Sequence, residues 1–191
     1  MFKEGCRIEV FADELRRRSE ENQRNAQSDS TTLSERSIID IDNSTAENLA
    51  KEKNLWIDIS EVVTLGTPAP SGVENEVYLN KKGNFVYKVN NLMTSRCVSD
   101  FLQRILLHNS IFPQTGYELY AFTGFGNGNI YPILKQNYIF NAEYATPVEI
   151  DTYMSALDFE KVDEATFTNG DVIISDLYPR NVLKDKDGDL F

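Results

Sequence analysis

The chain has 191 residues, enough for one ordinary domain or a small domain with an arm, and a formal net charge of −11. Neutralising a nucleic-acid backbone takes clustered Lys and Arg, so this charge speaks against nucleic acid as a partner, while a local lysine could still hold one nucleotide. Hydrophobic residues make up 41% of the sequence, but no run approaches the roughly 20 apolar residues that span a membrane.

The single histidine, His108, and two widely separated cysteines, Cys6 and Cys97, offer no metal-ligand spacing for zinc. The cysteines read as free thiols of a reducing, cytoplasmic compartment. The N-terminal MFKEGCRIEVFADELRRR carries acids early and lacks the apolar core of a secretion signal.

Residues 1–54 read as a polar N-terminal arm and linker. Ile8, Phe11 and Leu15 give one short helical stripe. Residues 16–37 hold too little apolar surface to offset their ordering entropy, and rapid amide exchange is expected there. Ser44-x-x-Glu47 fits a capping box opening a short helix that ends near Asn54. The texture changes at Leu55. GTPAPSG is a loop by its Gly and Pro content, and EVYLNKKGNFVYKV reads as a hairpin turning at residues 81–84. Alternation places Phe85, Tyr87 and Val89 on one face and Val86 and Lys88 on the other.

Residues 94–108 predict an amphipathic helix through Val98, Phe101, Leu102, Ile105 and Leu106, with His108 at its end for C-terminal capping or packing, where a cation would suit the helix dipole. TGYELYAFTGF and NIYPILKQNYIF predict two more strands around the turn at residues 126–129. Thr146-Pro147 is a helix start, with Ile150, Tyr153, Met154 and Leu157 continuing it. The last segment, NGDVIISDLYPRNVLKDKDGDLF, predicts a short strand, an irregular loop and a second short strand with a turn.

That loop holds the sharpest chemical signal. Asp176 and Asn181 lie five residues apart in DLYPRN, stiffened by Pro179. Phosphoryl transfer uses such a pair: a carboxylate positions the attacking hydroxyl and takes its proton, and an amide oxygen holds a magnesium ion on the phosphates. Flanking strands and an upstream β, β, α, β, β order give the motif its context. Lys88, set among apolar strand residues, is costly unless it has a partner.

In GVENEVYLNKKGNFVYKVNN, LLHNSIFP, IYPILKQNYI, ATPVEID and ISDLYPRNVL the chain resembles the protein-kinase superfamily. It is most similar to the compact serine/threonine/tyrosine kinase-like domains of polyvalent proteins from phages and mobile elements. The resemblance implies an α+β, kinase-like two-lobed fold: a small antiparallel β lobe with one amphipathic helix over 55–135, then a hinge and a truncated helical lobe over 136–191. It implies ATP and Mg2+ as cofactors and transfer of the γ-phosphoryl group to a hydroxyl, a protein's by the family name. Lys88 matches the catalytic lysine that pairs with the nucleotide phosphates, and Gly72 falls in the phosphate-covering loop. Leu134 to Ile139 resembles the hinge, so Gln136, Asn137 and Tyr138 would meet the adenine edge. Asp176 matches the catalytic base and Asn181 the metal-holding amide, both converging with Lys88 on one cleft.

The chain also departs from the pattern. Gly66 and Gly72 are present without G-x-G-x-x-G, and Ile174 and Ser175 stand where many kinases have His and Arg, which speaks against control by a phosphorylated activation loop. Asp100 is the only acid of the helix and projects nearly opposite its apolar face. A second metal-binding aspartate is expected about a dozen residues beyond Asn181. Asp185, Asp187 and Asp189 read as a turn, so that residue is expected past Phe191 and weak ATP binding by the chain follows. The rival functions are a non-catalytic kinase-like binding module and a small-molecule phosphotransferase.

Overall fold

A computed structural model describes residues 8–27 and 32–191. Cys6 and part of the expected linker, residues 28–31, lie outside them. The architecture is mixed α+β with antiparallel sheets, and it falls into two compact units that divide between Tyr138 and Ile139. Among the described residues no helix is long and apolar enough to cross a membrane.

The first unit is built on a five-stranded antiparallel sheet of β1 (Thr67–Ala69), β2 (Asn75–Leu79), β3 (Phe85–Asn90), β4 (Tyr117–Gly126) and β5 (Asn129–Asn137), in the order β1-β2-β3-β5-β4. The β2–β3 hairpin turns where predicted, with Asn80 accepting from the backbone N–H groups of Asn84 and Phe85. The β4–β5 hairpin turns through Asn127 and Gly128, both at positive φ, which this tight connection requires. At Gly124 a Cβ would lie 2.0 Å from the Asn129 carbonyl oxygen, so only glycine fits there.

Period-two alternation sorts the strand residues into two apolar layers. Tyr78, Tyr87, Val89, Ala121 and Ile133 pack with Val62 on one face. Leu119, Phe122, Ile130 and Leu134 face the helices. A register shift between Leu119 and Ala121 lets these two residues, which plain alternation would put on one face, serve opposite layers. Segment 55–57 runs parallel to β4 and covers that sheet edge, with Ile57 N–H donating to Phe122 O and Phe122 N–H to Leu55 O.

The N-terminal residues are not a free arm. Helix α1 (Ile8–Ala26) and helix α2 (Glu35–Glu52) join α3 (Val98–Ile111) on the sheet. The two N-terminal helices, expected as a solvated arm, thus pack on the sheet beside the one helix predicted for the β lobe. Ile8, Phe11 and Leu15 are buried as the stripe predicts, and Phe11 stacks on Phe122 with ring centroids 4.8 Å apart. Low apolar content misleads over the rest because much of this interface is hydrogen-bonded. Ser19, Asp42, Thr45 and Glu47 are buried polar residues, each with partners. Ser34, not Ser44, caps α2, accepting from Ser37 N–H, so the helix starts well before the predicted cap.

Asp42 and Asn43 of α2 also cap α3. Cys97, at the N-cap position, makes no side-chain cap bond. Instead Asp42 Oδ2 accepts the Ser99 N–H at 3.0 Å and Asn43 Oδ1 the Val98 N–H at 3.1 Å. An anion there meets the positive end of the α3 dipole. Burial raises the Cys97 thiol to about 11, so it is an inert thiol.

The second unit carries one helix, α4 (Pro147–Ala156), among short strands: β6 (Glu143–Tyr144), β7 (Glu160–Asp163), β8 (Thr166–Thr168), β9 (Ile173–Ile174) and β10 (Leu183–Lys184). Thr146 and Glu149 form a reciprocal capping box on α4, one helical turn of the sequence pattern confirmed in detail. Lys184 pairs with Glu149 at 2.9 Å and Glu143 at 3.0 Å, tying β10 to α4 and β6. The Thr146 backbone N–H, followed by Lys184 and the Thr146 hydroxyl, lowers the Glu149 carboxyl to about 2. β6 pairs with β10, and β7-β8-β9 form a separate sheet.

Two stability outcomes follow. Asp42→Ala removes a buried cap from α3 and strands the Ser19 and Ser99 hydroxyls, so urea unfolding should register a loss of about 2 kcal/mol. Phe11→Ala should cost about 3–5 kcal/mol through the cavity it leaves beside Phe122; a loss below about 1 kcal/mol would mean α1 is not part of this core.

Candidate functional site

The residues that could carry chemistry fall in two places, one in each unit. In the first unit, strand alternation turns Lys88 toward α3, on the face opposite Tyr87 and Val89. It lines a cavity of about 240 Å³ with Glu74, Asn75, Asn90, Arg104, His108 and Tyr117 among its walls. Lys88 Nζ donates to Tyr117 Oη at 3.2 Å and lies 5.1 Å from that ring's centroid. No carboxylate of the described residues comes within 4.0 Å of it. Asp100 is engaged elsewhere, accepting the Arg96 N–H at 3.2 Å and facing the Arg96 guanidinium at 3.7 Å.

His108 packs between Phe112 and Tyr117, with ring centroids 5.4 and 4.9 Å away, and its Nε2 lies 3.1 Å from Thr115 Oγ1. Burial lowers its pKa, and the charge of Lys88 acts in the same direction, against the opposing pull of the Thr115 carbonyl. Of the capping or packing expected from sequence the ring shows packing, and its desolvation beside an ammonium disfavours the charged form.

The other predicted nucleotide residues are placed as follows. Gly72 lies in the exposed β1–β2 connection, where a Cβ would meet nothing within 4 Å, so sterics do not demand glycine there. It lines a different cavity, of about 530 Å³, with Val62, Tyr78 and Val89. Gly66 is the sterically required glycine, since a Cβ would lie 2.0 Å from Leu79 O. Gln136 spends its Nε2 on Thr115 O at 2.7 Å. Asn137 ends β5 opposite Phe85, and the Tyr138 N–H donates to Asn84 O at 3.1 Å.

In the second unit the loop 175–182 crosses from the three-stranded sheet, through β9, to the two-stranded sheet, through β10. Leu177 N–H donates to Ala165 O at one end, and Ala145 N–H to Val182 O at the other. Just before the first anchor Asp176 adopts φ 66°, the left-handed region, and between the anchors Pro179–Asn181 form a 3-10 turn. Non-glycine residues held there are strained, and such strain collects at functional sites. The turn brings the pair together. Asn181 Nδ2 donates to Asp176 O at 2.8 Å and to Asp176 Oδ2 at 2.9 Å. Arg180, stacked over Tyr178, reaches Asp176 Oδ1 at 3.3 Å. A carboxylate has about four lone-pair sites, so Asp176 can still accept a proton. With its nitrogen committed to Asp176, Asn181 presents its amide oxygen as the free ligand.

Asp185 closes the following turn, accepting from the Asp187 and Asp189 N–H groups at 2.9 and 3.0 Å. Among the described residues no three His, Cys, Asp or Glu side chains gather as a metal cluster.

Over residues 42–191 the sequence matches the family described as Serine/Threonine/Tyrosine Kinase found in polyvalent proteins. The chain belongs to that family. No curated protein and no solved structure matches it. Membership in this kinase family assigns the chain to the kinase-like phosphotransferases, and the matched span contains both Lys88 and the Asp176–Asn181 loop. It begins at Asp42, so the α3 cap falls inside it and α1 outside. Sequence reasoning missed Arg104 and Tyr117 as neighbours of Lys88. The spacing Phe101, Arg104, Ile105, His108 places these four on one helical face, and that signal could have found Arg104.

A proton NMR titration of His108 should give a midpoint below the ordinary value of about 6.5. Because the folded pKa is the lower one, the unfolded chain binds the extra proton, and stability declines as pH falls through about 6.5 toward the folded midpoint. A midpoint at or above 6.5 would contradict the burial of this ring beside Lys88.

Proposed function

We propose that this kinase-family chain binds ATP with magnesium and transfers the γ-phosphoryl group to a hydroxyl, with a protein as the acceptor in keeping with the family description. The observation that carries this reading is the Asp176–Asn181 pair, whose hydrogen bond fixes a carboxylate and an amide oxygen side by side on one strained turn. Lys88, in its cavity, would orient the phosphates from the first unit. Asp176 would position the acceptor hydroxyl and take its proton as the oxygen attacks. The Asn181 amide oxygen is a hard ligand that suits magnesium, and it would help hold the ion. Magnesium, when bound, neutralises charge on the phosphate oxygens.

The exposed connection at Gly72, where a Cβ would meet nothing within 4 Å and glycine is not required, favours a second reading, a nucleotide-binding module without transfer. Calorimetry and a radiolabelled phosphate assay separate the two. On the first reading Asp176→Asn lowers transfer by about 10²–10⁴-fold and leaves ATP affinity nearly unchanged, whereas Lys88→Ala weakens both. ATP binding that needs Lys88, with no transfer to any hydroxyl acceptor, would establish the second. Transfer unaffected by Asp176→Asn would exclude the mechanism.

A further inference from the structure

The wall of the Lys88 cavity has an unusual charge pattern. The helix beside it, α3, presents Phe101, Arg104, Ile105 and His108 to this space and no acid. Its single carboxylate, Asp100, is turned to Arg96. The charged groups of the cavity are thus Lys88 from β3, Arg104 from α3 and Glu74 from the segment before β2, with His108 neutral. Glu74 Oε2 accepts from Thr94 Oγ1 at 3.0 Å. Two cations and one anion leave the cavity positive within a chain of net charge −11, and a local field of that sign concentrates anions.

Arg104 is equipped to bind one. Its Nη1 donates to Thr94 O at 2.8 Å and to Thr94 Oγ1 and Ser95 Oγ at 3.2 Å. Among the described residues its Nη2 and Nε have no acceptor, so part of a five-donor fork remains available, held in place by the other part. Asn75, Asn90 and Thr94 add polar side chains to the same walls. At about 240 Å³ the space falls below the range of about 300–1,000 Å³ typical of whole-ligand pockets and suits phosphate groups instead.

We infer that Arg104 is a second phosphate-binding residue of this cavity, so that a di- or triphosphate supplies the counter-charge of Lys88 in place of a helix carboxylate. The inference rests on reading the cavity as the phosphate end of the proposed nucleotide site. It implies that polyphosphate binds without a metal ion, because the two side-chain cations face it directly.

The test is calorimetry of the 191-residue chain in EDTA with inorganic tripolyphosphate, orthophosphate and ATP. Tripolyphosphate should bind more tightly than orthophosphate. Arg104→Gln should weaken tripolyphosphate about tenfold and erase that preference, while Arg104→Lys restores most of it. Arg104 is exposed, so the melting temperature should hardly move. A purely structural role, stapling residues 94–95 to α3, would instead lower the melting temperature and leave the charge preference intact; that result overturns the inference. ATP binding that depends on Lys88 but not on Arg104 overturns it too, while leaving the phosphotransferase reading in place. Tripolyphosphate binding that needs both cations, with ATP no tighter and no transfer, supports the inference and removes the nucleotide reading. Failure of every anion to bind overturns the inference.

Discussion

Lys88 is a cation fixed on the helix-facing side of a β-sheet, and the helix it faces supplies no carboxylate. An ammonium among Val86, Leu134 and Phe101 is unfavourable without compensation. The protein offers it the Tyr117 hydroxyl and ring, a neutral His108 and an open cavity. Much of the first unit follows from this constraint. The ring of Tyr117 can lie beneath the amine because β4 begins there, its N–H held by Asn109 Oδ1 at 2.8 Å. The imidazole stays uncharged because it is desolvated next to a cation. On the proposed reading, a bound phosphate group supplies the remaining counter-charge.

The position of α3 is set from outside the helix. Asp42 and Asn43 satisfy two of its orphan N–H groups, and Asp42 is itself fixed by Ser19 of α1. Glu47 of the same α2 accepts the Gly128 N–H at 2.8 Å, clasping the β4–β5 turn. Helix α2 therefore ties α1, α3 and the sheet together through buried, hydrogen-bonded carboxylates. Such groups are costly to disturb, since removal of one partner leaves others unsatisfied in a poorly solvated interior. The geometry around Arg104 and His108 thus depends on residues more than fifty positions upstream.

Much of this was legible in the sequence. Strand alternation placed Lys88 against the helix face correctly, and both hairpins and the Thr146 cap followed from turn and capping chemistry. The Asp-x-x-x-x-Asn spacing located the loop, and the structure adds the strained backbone of Asp176 and the bond between the two side chains. The extent and docking of the N-terminal helices were not legible, because much of their interface is built from Ser19, Asp42, Thr45 and Glu47, and hydropathy gives no credit to polar residues that find partners only in the fold. The β7–β8 hairpin escaped for a related reason. EKVDEATFT has charged, exposed residues over most of its length, and only Ala165 and Phe167 are buried. Arg104 was not legible because the kinase pattern places an acid, not a cation, on this helix.

The central claim is that Lys88, in its cavity on the first unit, engages the phosphates of a nucleotide. Amide NMR of the isotopically labelled chain, titrated with a non-hydrolysable magnesium-ATP analogue, tests it most directly. The account predicts saturable shifts, with a common dissociation constant, at Lys88, Arg104 and His108. No saturable shift at these residues would contradict it.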